Sequence, residues 1–290
     1  MMADESPRRS SISGHGLGDV DTVMSVDEVD RQAAALREQG PDAAALEALA
    51  GTDVILRMDG LRAGYGRMEI LHDFQLRAGR GQSLCLIGPN GAGKSTVLHT
   101  AFGFTRVFAG TVTAAGRDIT GLPSSARLRD GGLAYVLQDN SVFPDMTVEE
   151  NLLMGGYLEQ NRRSVRGAVE RVLEKYPRLR ARARNRASVL SGGERRLLEI
   201  SRALIMNPDV LLVDEPSIGL EPRYIDMVFD ILHDLQHTDG KTIVMVEQNA
   251  KKGLDFADVG YVLVSGQLAK AAPGADLLED EDVGRLFLGG

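Results

Sequence analysis

The sequence predicts an α/β fold in which a largely parallel sheet carries helices between its strands, and three observations predict it. Gly88-Pro89-Asn90-Gly91-Ala92-Gly93-Lys94-Ser95-Thr96 satisfies G-x-x-x-x-G-K-[ST] between an apolar run and a helical pattern. From residue 52 onward, short β-prone runs alternate with helical periods, as a sheet built from crossover units requires. Between Thr147 and Met206 no strand pattern is visible, so that stretch reads as a helical insertion.

Residues 1–51 stand apart as an acidic N-terminal extension, largely disordered or in short helices. The first fifty residues hold four Arg and no Lys against ten Asp and Glu, so most of the chain's net charge of -8 sits there. Residues 1–22 are rich in Ser, Gly and Asp without periodicity and read as disordered. Ser25-Val26-Asp27-Glu28 fits a capping box, and Val26, Val29, Ala33 and Leu36 follow at helical spacing until Gly40-Pro41 breaks the run. Ala43 to Ala50 suggests a second short helix. A loosely attached tail is expected here, or a translation start that truly lies at Met24; a regulatory or docking arm is the alternative.

Residues 52–290 are expected to form one domain. Strands are predicted at Val54 to Met58, Ser83 to Ile87, Val210 to Val213, Thr242 to Val246 and Gly260 to Val264, with helices at Lys94 to Phe102 and Tyr224 to Gln236. Hydrophobic residues make up 43% of the chain and charged residues 26%, as in an ordinary soluble globular protein. No apolar run reaches the ~18 residues needed to cross a bilayer, so a membrane role would have to come through a partner. The acidic balance disfavours nucleic acid as a ligand. Cys85, the single cysteine, cannot form an intrachain disulfide, and the N-terminus lacks a secretory pattern; both fit the cytosol.

Chemistry concentrates at two places. In the Gly88 to Thr96 loop, glycines let backbone N–H groups point at phosphate oxygens, and the following helix adds a partial positive charge. Gly88, Asn90, Gly91, Ala92, Gly93, Lys94, Ser95 and Thr96 are thus candidate ATP-binding residues, with Lys94 bridging the β- and γ-phosphates and Ser95 on Mg2+. The second place is Val210-Leu211-Leu212-Val213-Asp214-Glu215-Pro216, an aliphatic strand ending in two carboxylates. Asp214 is expected to hold Mg2+ directly or through water, and Glu215 to act as general base on the attacking water.

Leu190-Ser191-Gly192-Gly193-Glu194 lies between these sites and opens a helix. Behind a phosphate loop and just ahead of an Asp-Glu-Pro strand, it resembles the signature of the ATP-binding cassette (ABC) ATPases. The resemblance covers residues 52–290 and implies a P-loop NTPase core with a helical subdomain, approximately 147–206, and a small antiparallel β region. It also implies that Ser191, Gly192, Gly193 and Glu194 complete the ATP site of a facing cassette. Tyr65 resembles the aromatic that stacks on adenine, and Gln138 the glutamine that meets Mg2+. Gln248 stands where most cassettes carry a switch histidine, and is expected to contact the γ-phosphate without adding a titration of its own.

Further stretches narrow the resemblance. Phe143 to Leu152, Asp214 to Leu220, Val246 to Ala250 and Phe287 to Gly290 are similar to the LivF-type ATPases of branched-chain amino acid importers. Arg195-Arg196 resembles instead the lipopolysaccharide-export ATPases. The function implied is an ATP hydrolase powering uptake of branched-chain amino acids or a related small polar solute. Its implied partners are integral membrane permease subunits, a second ABC ATPase subunit (itself or a LivG-like paralogue) and, indirectly, an external solute-binding protein. It would sit at the cytoplasmic face of the membrane. A urea or amide importer, a lipopolysaccharide-export type and a soluble non-transport ABC ATPase are the alternatives. The arginines Arg178, Arg180, Arg182, Arg184 and Arg186 read as a solvated loop, and Met154 and Gly155-Gly156 as a border of either a partner groove or a plain helix contact.

Overall fold

The computed structural model describes residues 40–138 and 141–288. The expected helix after Ser25, the disordered start, the Met24 alternative and the final Gly289-Gly290 lie outside the described residues. Strands β3 (Ser83–Ile87), β7 (Val210–Asp214) and β8 (Thr242–Val246) are buried at every position, which fits the middle of a parallel sheet covered on both faces. With β6 (Leu133–Val136), β9 (Val259–Val264) and β10 (Gln267–Pro273) they form a six-stranded sheet in the order β10-β9-β3-β8-β7-β6. Only the β9-β10 pair in it is antiparallel.

A second, antiparallel sheet runs β2-β1-β4-β5, from β1 (Val54–Tyr65), β2 (Met68–Gly79), β4 (Arg106–Ala114) and β5 (Arg117–Asp118). Helix α2 (Lys94–Phe102) fills the space between the sheets, with Val97, Leu98 and Ala101 packed among Leu61, Phe74, Leu212 and Val244. Its C-terminal end is held by Arg127 on α3 (Ser124–Arg129), which is 2% exposed and donates to the carbonyls of Thr100, at 2.6 Å, and Ala101, at 2.8 Å. A cation at that end suits the helix dipole.

The other face of the parallel sheet packs against helices. The insertion consists of α4 (Val148–Gly155), α5 (Arg162–Lys175), α6 (Pro177–Ala181) and α7 (Gly192–Ala203), and no strand is assigned among its described residues. Helices α8 (Pro222–His237), α9 (Ala250–Phe256), α10 (Gly274–Glu279) and α11 (Glu281–Phe287) complete the chain. Arg178 and Arg180 turn out to lie on the short helix α6 rather than in a loop, and all five alternating arginines are exposed.

Helix α1 (Ala43–Ala50) is the second short helix expected at Ala43 to Ala50, and over its own length it is docked rather than loosely attached. Leu46 is fully buried, and Glu47 ion-pairs with both Arg57 and the buried Arg77. Arg77 also donates to the carbonyl of Met58 at 2.7 Å and pairs with Asp59. The Arg77 hydrogen bond holds the Glu47 carboxyl below its ordinary range. Glu47→Gln is expected to destabilise the fold by about 1 kcal/mol, a modest value because the carboxylate is partly solvated and Asp59 remains. Since the folded-state pKa is depressed, the contribution is present above the ordinary carboxylate pKa and is lost as pH falls through the lowered one. Urea titrations of both proteins should therefore converge in acid; equal midpoints at neutral pH would remove Glu47 from the account.

Candidate functional site

The phosphate loop follows directly from the end of β3. Gly88 has φ +144, and a Cβ there would stand 2.2 Å from the Leu263 carbonyl oxygen, so the tight turn out of the sheet requires glycine. Helix α2 then begins at Lys94 with Gly93 as its N-cap and no side chain bonded to its first N–H groups. Those donors and the helix dipole face the loop. Lys94 is 8% exposed, and its ammonium donates to the carbonyls of Gly88 at 2.8 Å and Pro89 at 3.0 Å. Burial lowers its pKa, opposed by the charges of Glu215 and Asp214.

Strand β7 delivers the carboxylates. Asp214 is 4% exposed and accepts from the Ser95 hydroxyl at 3.0 Å and from the Tyr135 phenol at 2.7 Å. A hydroxyl and a carboxylate in contact are the hard oxygen donors that Mg2+ takes beside substrate phosphates, so this pair fits the ion. Glu215 leaves the strand with φ +44, a left-handed conformation, while its N–H donates to Val246 at 2.9 Å. Its carboxylate accepts from the Gln138 amide at 2.8 Å. The structure thus brings Gln138 to the candidate base, with the amide oxygen of Gln138 not used in that bond.

Tyr65 ends β1, is 44% exposed, and hydrogen-bonds His99, one turn beyond Ser95 on α2. Gln248 lies just past β8, exposed, and makes no side-chain hydrogen bond among the described residues. Ser191 is the N-cap of α7 in a full capping box: its hydroxyl accepts from Glu194 N–H, and its own N–H donates to the Glu194 carboxylate at 2.9 Å. Glutamate at 194 therefore has a local function in setting the helix start. Gly193 is required by close approach, since a Cβ there would meet the Tyr224 ring at 2.2 Å. Among the described residues no hydrogen bond joins residues 191–194 to residues 88–96.

Sequence reasoning missed several residues around the site. Tyr135 and His99 flank Asp214, His99 at 4.0 Å. Burial and then the charge of Asp214 push the Tyr135 pKa well up, while burial lowers that of His99 against Asp214. Ser217 donates at 2.7 Å to Glu247, a carboxylate 2% exposed that sits just before Gln248. Arg196 and Glu199 form a buried ion pair on α7 at 2.9 Å. A carboxylate directly after an aliphatic strand was a usable signal for Glu247, whereas Ser217 lies in the turn beyond β7; Glu199 carried no signal beyond its helical spacing from Arg196. Cys85 is fully buried, and burial pushes its thiol pKa up, as expected for an inert core residue.

Residues 71–218 match the family model described as ABC transporter. The chain belongs to the ABC transporter family. As a cassette of this family it is an ATP hydrolase, and the observed fold is that of ABC ATPases. It is 41% identical to the high-affinity branched-chain amino acid transport ATP-binding protein BraG of Pseudomonas aeruginosa, over 81% of this chain and 100% of that one. It is 37% identical to the probable branched-chain amino acid transport ATP-binding protein LivF of Archaeoglobus fulgidus, over 81% and 99%. A solved ATP-binding cassette of an ABC transporter in its ADP conformation superposes with a TM-score of 0.72 at 29% identity, covering 82% of this chain and 100% of that one. Among the described residues of this ABC ATPase no helix is long and apolar enough to cross a membrane.

Proposed function

We propose that this ABC ATPase powers uptake of branched-chain amino acids, or a closely related small polar solute, through a separate permease. The observation that carries this reading is the likeness to BraG, which runs the full length of that protein. In the reading, residues 52–290 are the ATPase domain, with helix α1 docked on it, and the chain works at the cytoplasmic face of the membrane. A groove of ≈ 220 Å³ between sheet and insertion, lined by Phe104, Tyr135, Leu137, Met154, Gly155 and Arg202, is the proposed seat for a permease helix. Gly156 lines a different cleft, beside Tyr157 and Arg162.

The chemistry assigned to the site is hydrolysis of ATP to ADP and phosphate. Residues Gly88 to Thr96 bind the phosphates, Tyr65 stacks on adenine, and Glu215 takes the proton of the attacking water. Ser95, Asp214 and Gln138 hold Mg2+, which supplies charge neutralisation at the phosphates. Gln248 donates to the γ-phosphate. Ser191, Gly192, Gly193 and Glu194, which make no hydrogen bond to their own phosphate loop among the described residues, complete the site of a facing cassette, whether that is a copy or a paralogue.

Deleting the gene and measuring uptake of radiolabelled leucine, urea and a control sugar tests the solute assignment. Leucine uptake should fall and return with the wild-type chain but not with Glu215→Gln. Unchanged leucine uptake with lost urea uptake would move the protein to the amide importers. Neither loss, with a defective outer membrane, would favour the export type to which Arg195-Arg196 is similar.

A further inference from the structure

The buried Arg196–Glu199 pair does more than fill the helix interface. Both side chains are only 5% exposed, and the Arg196 Nε is buried without a hydrogen-bond partner. Replacing such a pair with apolar side chains is commonly neutral or stabilising, so its presence is poorly explained by stability alone. What distinguishes Arg196 is where its fork reaches. One guanidinium nitrogen donates to the Leu137 carbonyl at 2.6 Å, and the other to the Asp214 carbonyl at 3.2 Å.

These two carbonyls belong to the residues immediately before Gln138 and Glu215, whose side chains meet at 2.8 Å. Glu199 adds a third point by accepting from the Ser141 N–H at 2.8 Å, so residues 137 and 141 are both gripped by one face of α7. Gln138, Arg196 and Glu199 line a cleft of ≈ 370 Å³ together with Gly192. The helix that starts at the signature turn is thereby bolted to both halves of the catalytic pair of its own chain.

We propose that Arg196, oriented by Glu199, is a positioning residue for ATP hydrolysis: its buried fork fixes the Leu137 and Asp214 backbones and so sets the Gln138–Glu215 geometry. This rests on the reading of Glu215 as general base. A planar fork with fixed N–H directions spans two carbonyls at once, which the compact ammonium of lysine cannot do. A shift of about 1 Å in a reacting group costs on the order of a hundredfold in rate, so loss of the bridge acts on turnover while the phosphate loop still binds nucleotide.

The test uses the full chain purified with the subunits it assembles with. The double variant Arg196→Met/Glu199→Leu removes the bridge but keeps the buried volume apolar, and Arg196→Lys keeps the charge but not the fork. Both should melt within a few degrees of wild type and bind ATP within about twofold, while kcat falls about ten- to a hundredfold. Wild-type kcat in either folded variant overturns the proposal, and so does a loss of kcat that only parallels a loss of melting temperature or of ATP affinity. Glu215→Gln is measured alongside. If it is inactive while the Arg196 variants turn over normally, the positioning inference alone fails; if it hydrolyses at the wild-type rate, the general-base reading fails and takes the inference with it.

Discussion

Glu215→Gln is expected to bind ATP as the wild type does and to hydrolyse it at least about a hundredfold more slowly, the usual contribution of a positioned general base. The substitution leaves the loop donors, Lys94 and the Ser95–Asp214 contact in place. It removes a proton acceptor without removing bulk. An amide oxygen can still accept from Gln138, so the local geometry survives and the loss is chemical. If the cassettes close on bound phosphates and reopen only after cleavage, the variant should also accumulate as a nucleotide-bound dimer in size-exclusion chromatography. Turnover near the wild-type rate would dismiss Glu215 from the mechanism.

Lys94→Ala should fail one step earlier, with ATP affinity lowered by about ten- to a hundredfold, the loss of one or two charge-assisted hydrogen bonds. The ammonium donates to the Gly88 and Pro89 carbonyls, so the loop is folded around a buried cation. Burial also gives a pH signature. Lys94 holds its proton less tightly than an ordinary lysine, so affinity for ATP should begin to decline at a lower alkaline pH than an unperturbed lysine would allow. Nucleotide titrations between neutral pH and pH 10 would reveal it. Unaltered ATP affinity in Lys94→Ala would mean that the backbone donors bind the phosphates unaided.

The parts of this protein legible in its sequence are those that local chemistry dictates. Gly88 to Thr96 and the Asp214-Glu215 step each carry their meaning within a few residues, and the parallel strands announce themselves as short aliphatic runs. The antiparallel sheet was harder. Only Val54 to Met58 of β1 stood out, because register shifts near Leu61 and Ala63, and the glycines at 60 and 64, blur the alternation that marks a strand. Helix α8 likewise begins two residues before the expected Tyr224, at Pro222, a residue suited to a first turn. The docking of α1 and the bridge from Arg196 were invisible for a different reason. Each depends on partners far along the chain, Arg77 for Glu47 and Leu137 with Asp214 for Arg196, and no spacing rule encodes such meetings.

The left-handed backbone at Glu215 sets two demands on the protein against each other. A non-glycine residue held there carries strain of about 1 to 3 kcal/mol, and glycine at the same position would release much of it. The side chain that the fold would most readily give up is the one assigned the proton transfer. Heat tolerance and turnover therefore pull in opposite directions at a single codon. A library of this gene selected only for survival at high temperature should drift toward glycine at 215, and would yield robust cassettes that grip nucleotide and no longer spend it.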